Sequence, residues 1–169
     1  LLTTLEPQLR ARLLDVIELD RDRVGRIMDF NILTVRADVT LATVQRFLRK
    51  RSSMPNGTDK IFITNAQNQL LGELPLTDIL LNKPKTLVAD VMNPRPTTFQ
   101  LNDNAEDAAS AFERYNLISA AVTDAKGKLI GRITVEDVID LVNQENESNI
   151  RKMGGISQEE DVFAPVRKA

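Results

Sequence analysis

The chain has 169 residues, 42% of them apolar and 27% charged, with a formal charge of −2. That balance supports a packed core and gives no overall pull towards nucleic acid. The sequence holds no Cys and no His, which removes disulfides, thiolate nucleophiles, Cys- and His-ligated metal sites and the commonest general base. Any metal must be held by oxygen, which suits Mg²⁺ or Ca²⁺.

There is no GxxxxGK[ST] loop and no GxSxG elbow, so the residues argue against a self-contained enzyme. No apolar run approaches the length of a membrane span, and no signal peptide is visible. The chain opens on Leu1 rather than Met, as a fragment of a longer protein would.

Residues 1–19 read as a helix, with Pro7 in its first turn and a stripe of Leu9, Leu13, Val16 and Ile17. Residues 20–82 and 87–142 read as two copies of one unit. Met28 opens MDFNILTV and Met92 opens MNPRPTTF; IFITNAQNQLLGELPLTDIL later matches AAVTDAKGKLIGRITVEDVI. The offset falls from 64 at the Met28/Met92 pair to 59 at the Asp78/Asp137 pair, so the first copy carries five extra residues, in the polar stretch Arg49–Lys60.

Each copy reads strand, helix, strand, turn, strand, helix. In the second, the expected elements are a strand at Thr97–Gln100, a helix at Ala105–Tyr115, an alternating strand through Ala120 and Val122, a turn at Asp124–Gly127 and a return strand at Leu129–Ile133. In the first, Ile61 and Ile63 match the strand, Asn65–Asn68 the turn, and Pro75 stands where the second copy has Thr134; it is expected at the first helical position. The basic run Arg46, Arg49, Lys50, Arg51 lacks interleaved aromatics and reads as a solvated helix end. Gly57 marks a loop, not a phosphate cradle.

Gly131–Glu147 reads as a strand end, a cap and an acidic helix. Thr134 is its expected N-cap. Val135, Val138, Ile139, Val142, Ile150 and Met153 form one face. Glu136, Asp137, Asp140, Gln144 and Glu147 form the other, with Glu145 at the boundary. Like charges spaced i,i+4 cost a few tenths of a kcal/mol per pair, and no Lys or Arg intervenes between Arg132 and Arg151. The face is either simply solvated or a surface that awaits a divalent cation. Gly154-Gly155 is expected to end the helix, leaving a tail with little apolar surface.

The duplication, with Gly131, Ile133, Thr134 and Asp137 in one copy and Gly72 and Asp78 in the other, resembles a tandem pair of cystathionine-β-synthase (CBS) domains. Val24–Met28 before the first copy and the stretch Glu145–Ile150 followed by Met153–Val166 resemble the MgtE family of magnesium transporters. The resemblance implies an α/β fold: a tandem CBS-domain pair with flanking N- and C-terminal helices. Residues 1–19 would be the remnant of an upstream helical domain, and 143–169 a connecting helix and tail towards an absent transmembrane domain. The implied function is the regulatory region of a Mg²⁺ channel on the cytoplasmic face of the membrane. It would act as a homodimer that senses Mg²⁺ and gates the pore of the same full-length chain, without nucleic-acid partners. Carried over by position, the metal ligands implied are Glu106, Asp137, Asp140 and Glu145. CBS pairs also bind adenosine nucleotides such as ATP between the copies, which implies Asp78 on the ribose and Thr97 lining the cleft. Asn116, Leu117 and Ser148-Asn149 depart from the family pattern: the first and last where acids can stand, Leu117 where an aromatic could stack on adenine. The alternative reading is an adenine-nucleotide sensor regulating an attached domain.

Overall fold

The computed structural model describes residues 23–152, with side chains as far as Asn143. The helix expected over 1–19 and the stretch from Met153 onwards, including Gly154-Gly155, lie outside these residues.

Two small sheets repeat one plan. In the first unit β1 (Thr34–Val35) runs parallel to β2 (Lys60–Thr64), which pairs antiparallel with β3 (Leu70–Pro75). In the second unit β4 (Thr98–Phe99) is parallel to β5 (Ser119–Thr123), and β5 is antiparallel to β6 (Leu129–Thr134). Helix α1 (Leu41–Arg49) crosses between β1 and β2, and α2 (Leu76–Leu81) follows β3. A short helix α3 (Val88–Val91) leads into the second unit, where α4 (Ala105–Tyr115) and α5 (Val135–Lys152) hold the places of α1 and α2. Helix α4 has the expected bounds. The strand expected at Thr97–Gln100 is only Thr98–Phe99, because a turn closed by Asp103 takes Gln100: its backbone N–H donates to Asp103 Oδ2 at 2.8 Å.

Local chemistry sets the boundaries. Thr40 and Asn104 cap α1 and α4 with their side chains, accepting from the N–H groups of Thr43 and Asp107. Asn116 ends α4 in the left-handed region, φ 55°, a conformation that Asn tolerates and most residues avoid. Its polar side chain thus has a backbone reason to be there. Pro75 is not the first helical residue, as expected, but the N-cap of α2 and the end of β3. Without a hydroxyl it gives α2 no side-chain cap.

The units are completed by each other. Val24 and Met28, which lead into β1 of the first unit, lie in the core of the second with Phe99, Phe112, Ile130 and Ile133. Val88 and Met92, which lead into β4 of the second unit, pack in the core of the first with Leu41, Val44, Ile61 and Leu74. Asp29 pairs with Arg132 on β6, and Asn93 with Glu73 on β3. Gly131 and Gly72 are explained by these crossings. A Cβ on Gly131 would strike the Met28 side chain, and one on Gly72 would come within 2.6 Å of the Asn93 carbonyl oxygen. Ile32, Phe62, Ala121 and Leu129 fill the seam between the sheets. The hairpin tips exchange backbone bonds across that seam, Leu70 N–H to Gly127 O at 2.9 Å and Leu129 N–H to Asn68 O at 3.0 Å.

Candidate functional site

Each unit has a corner where its last strand gives way to its last helix. In the second unit this corner is β6 into α5. Thr134 accepts the backbone N–H of Asp137 at 3.3 Å, and its hydroxyl donates to Asp137 Oδ2 at 3.0 Å. Asp137 is therefore tied into the cap and half-buried, while Asp140, one turn on, is exposed. Both lie on the outer side of α5. Its inner side is Val138 and Leu141, both buried. Ile139, expected in the apolar face, is 52% exposed: the packed face is turned away from it, with Val138 and Leu141 buried and Val135 and Val142 half-buried.

Glu106 sits exposed in the first turn of α4. The start of α5 is fixed beyond the other end of that helix, where Val135 N–H donates to Ile118 O at 2.9 Å. Ten residues of α4 separate the two, about 15 Å of helix rise. Glu106 and Asp137 are thus not drawn to one point within a chain, and no group of three or more acids able to hold a metal occurs among the described residues. The Glu145 side chain lies outside them; only its place within α5 is described.

In the first unit the corner is β3 into α2. Asp78 occupies the first turn of α2, half-buried, and its carboxylate takes no hydrogen bond among the described residues. Thr97 is half-buried immediately before β4, outside the strand it was expected to open. Leu117 is half-buried and packs against the second core.

The sequence reading missed two buried polar groups beside these corners. Lys60 Nζ reaches Glu73 Oε1 at 3.2 Å and the Ser119 carbonyl at 3.1 Å, joining the two units. Asn93 Nδ2 donates to Glu73 Oε2 at 3.3 Å, and Ser119 Oγ donates to Asp59 Oδ1 at 2.5 Å. On the second unit Arg132, 4% exposed, pairs with Asp29 Oδ2 at 3.1 Å and donates to the carbonyls of Asn56 and Gly57. The signal was present: LLGELP and LIGRIT each place a charge inside an apolar strand at the same step of the repeat.

The model of the CBS domain matches residues 88–144. The magnesium transporter MgtE of Thermus thermophilus is 29% identical over 160 residues, covering 95% of this chain and 36% of that protein. Two solved structures share the fold. The soluble part of a magnesium transporter has a TM-score of 0.74 at 26% identity, covering 83% of this chain and 55% of that one. The cytosolic domain of the Mg²⁺ channel MgtE in complex with ATP has a TM-score of 0.72 at 29% identity, covering 80% and 55%. The duplicated sheets, the swapped leading segments and these matches define a tandem CBS-domain pair. The chain is similar to the MgtE magnesium transporters, and it spans about a third of the length of the curated relatives it matches. No described helix is long and apolar enough to cross a membrane.

Proposed function

We propose that this chain is the regulatory region of a magnesium transporter or channel, and that it reads Mg²⁺ through the acidic outer side of α5 to control an attached transmembrane domain. The observation that carries this reading is the run of Glu136, Asp137 and Asp140, with no described cation paired to any of them. Oxygen donors of this kind suit Mg²⁺, which keeps several waters and takes only one or two carboxylates. A metal site here is shared: with Glu106 distant along α4, the remaining donors come from Glu145, from a second copy or from the rest of the full-length protein. The role is regulatory rather than catalytic.

A homodimer fits the same reading. Leu80 and Leu81 on α2 and Ile139 on α5 are large, apolar and exposed, and the repeat places Leu80 and Ile139 at equivalent steps. Sedimentation in MgCl₂ is expected to show a larger dimer fraction than in NaCl of equal ionic strength. A monomer in both, at high protein concentration, would overturn the Mg²⁺-bridged assembly.

A second reading, adenine-nucleotide binding, is favoured by the unbonded carboxylate of Asp78 beside Asp137, which is already engaged. An ionised acceptor on a ribose hydroxyl is worth about 1.5–3 kcal/mol, so Asp78→Ala is expected to weaken ATP about ten- to a hundredfold in calorimetry. Equal binding by parent and variant leaves Asp78 only its place at the helix N-terminus.

A further inference from the structure

The two corners are related by the repeat, yet they are not equally open. The offset of 59 carries Glu73 onto Arg132, Pro75 onto Thr134 and Asp78 onto Asp137. What breaks the symmetry is the longer connection between α1 and β2. Its distal part, Pro55–Asp59, leaves its own unit and lies on the other corner. The carbonyls of Asn56 and Gly57 accept from Arg132, and Asp59 accepts from the Ser119 hydroxyl. Gly57, at φ 72°, is so placed that a Cβ would stand 3.4 Å from Thr134 Cγ2. The segment is held at both ends: Thr58 Oγ1 donates to Pro55 O, and Asp59 O accepts Leu76 N–H at 3.0 Å. The matching connection of the second unit, Asn116–Ile118, is short. It turns back at the left-handed Asn116 and ends on Val135.

We propose that Pro55–Asp59 is an internal plug on the second corner, so that a nucleoside phosphate reaching this pair enters only the corner at Asp78. The proposal rests on the nucleotide reading given above. At the plugged corner each polar group that would meet a sugar or phosphate is already bonded within the chain. Arg132 is saturated by Asp29 and two loop carbonyls, Ser119 by Asp59, and Thr134 and Asp137 by each other. A ligand there must displace the loop and leave two carbonyls and a buried guanidinium to be re-satisfied. At the first corner Glu73 is held by Lys60 and Asn93, but the Asp78 carboxylate is unbonded among the described residues and Pro75 has no hydroxyl with which to engage it.

Calorimetry with ATP and cysteine labelling test this together. The chain has no cysteine of its own, so Thr134→Cys and Pro75→Cys each report one corner. The expected stoichiometry is one ATP per chain. Removing Ser53–Gly57 is expected to raise thiol labelling at position 134 several-fold, leave position 75 unchanged, and add a second ATP site. Two ATP per parent chain, or labelling at 134 unaffected by the shortening, overturns the plug. If ATP gives no heat while labelling at 134 still rises on shortening, the plug stands and the nucleotide reading falls. If the shortened chain does not fold, labelling of the two cysteine variants at full length still decides: slower labelling at 134 than at 75 is expected, and equal rates overturn the plug.

Discussion

Glu73→Ala is expected to destabilise the chain by about 3–5 kcal/mol, because it strands the ammonium of Lys60. The Lys60 side chain is 7% exposed and that of Glu73 11%, so water replaces little of the lost partner. What remains is the Ser119 carbonyl at 3.1 Å and Asp59, 3.9 Å away and itself 26% exposed. Asp59 holds part of the charge, which places the cost towards the lower end of that range. Asn93 loses its acceptor as well. Glu73→Gln keeps the shape and an acceptor and is expected to cost less. Replacing the pair together, Lys60→Met with Glu73→Leu, is expected to recover most of the loss, since a buried pair exchanged for apolar packing is often neutral or better. Urea unfolding of the three variants measures this; a Glu73→Ala cost below about 1 kcal/mol would mean that water reaches Lys60 freely.

Millimolar Mg²⁺ is expected to raise the melting temperature more than NaCl at matched ionic strength. A ligand that binds only the native state adds about 2.7 kcal/mol at a hundredfold excess over its dissociation constant. Screening alone also relieves exposed repulsion, hence the sodium control. Asp137 complicates the mutant arm. Its carboxylate accepts the Thr134 hydroxyl at 3.0 Å, so Asp137→Ala weakens the N-terminus of α5 whether or not a metal binds. The quantity to compare is therefore the Mg²⁺-minus-Na⁺ difference within each variant. Asp140→Ala, which breaks no hydrogen bond among the described residues, is the cleaner single change. Equal protection by the two salts, or an unchanged difference in Asp137→Ala/Asp140→Ala, reduces these acids to a solvated face.

The duplicated order of elements was legible because period and punctuation agreed in both copies. The turns at Asn65–Asn68 and Asp124–Gly127, the α4 bounds and the Thr134 cap each follow from short-range chemistry that a single stretch carries. What was not legible needs contacts far apart in the chain. Nothing near Met28 says that it fills the core beside Phe99 and Ile133, and nothing near Glu73 names Lys60 and Asn93 as its partners. Ile139 was misplaced for the same reason: a helical wheel gives the direction of a side chain, but the neighbour on that side decides burial. The acids on α5 were legible as a set. Their geometry as a metal site was not, because Glu106 and Asp137 are joined by no local rule and stand at opposite ends of α4.

The exchange of leading segments has a consequence for how this chain is made. Asp29 meets Arg132 across 103 positions of sequence, so during synthesis the segment at Asp29 waits for β6 to be made. At roughly 5–20 residues per second that wait lasts on the order of 5–20 s. Contacts of such long range also slow the search for the native pairing. During that interval Val24 and Met28 have no core of their own to enter. A nascent first unit is thus complete in secondary structure but carries an apolar segment made for its sibling, and a second nascent chain nearby could offer the same acceptor. Exchange of this segment between chains is the misassembly to which the topology is most exposed.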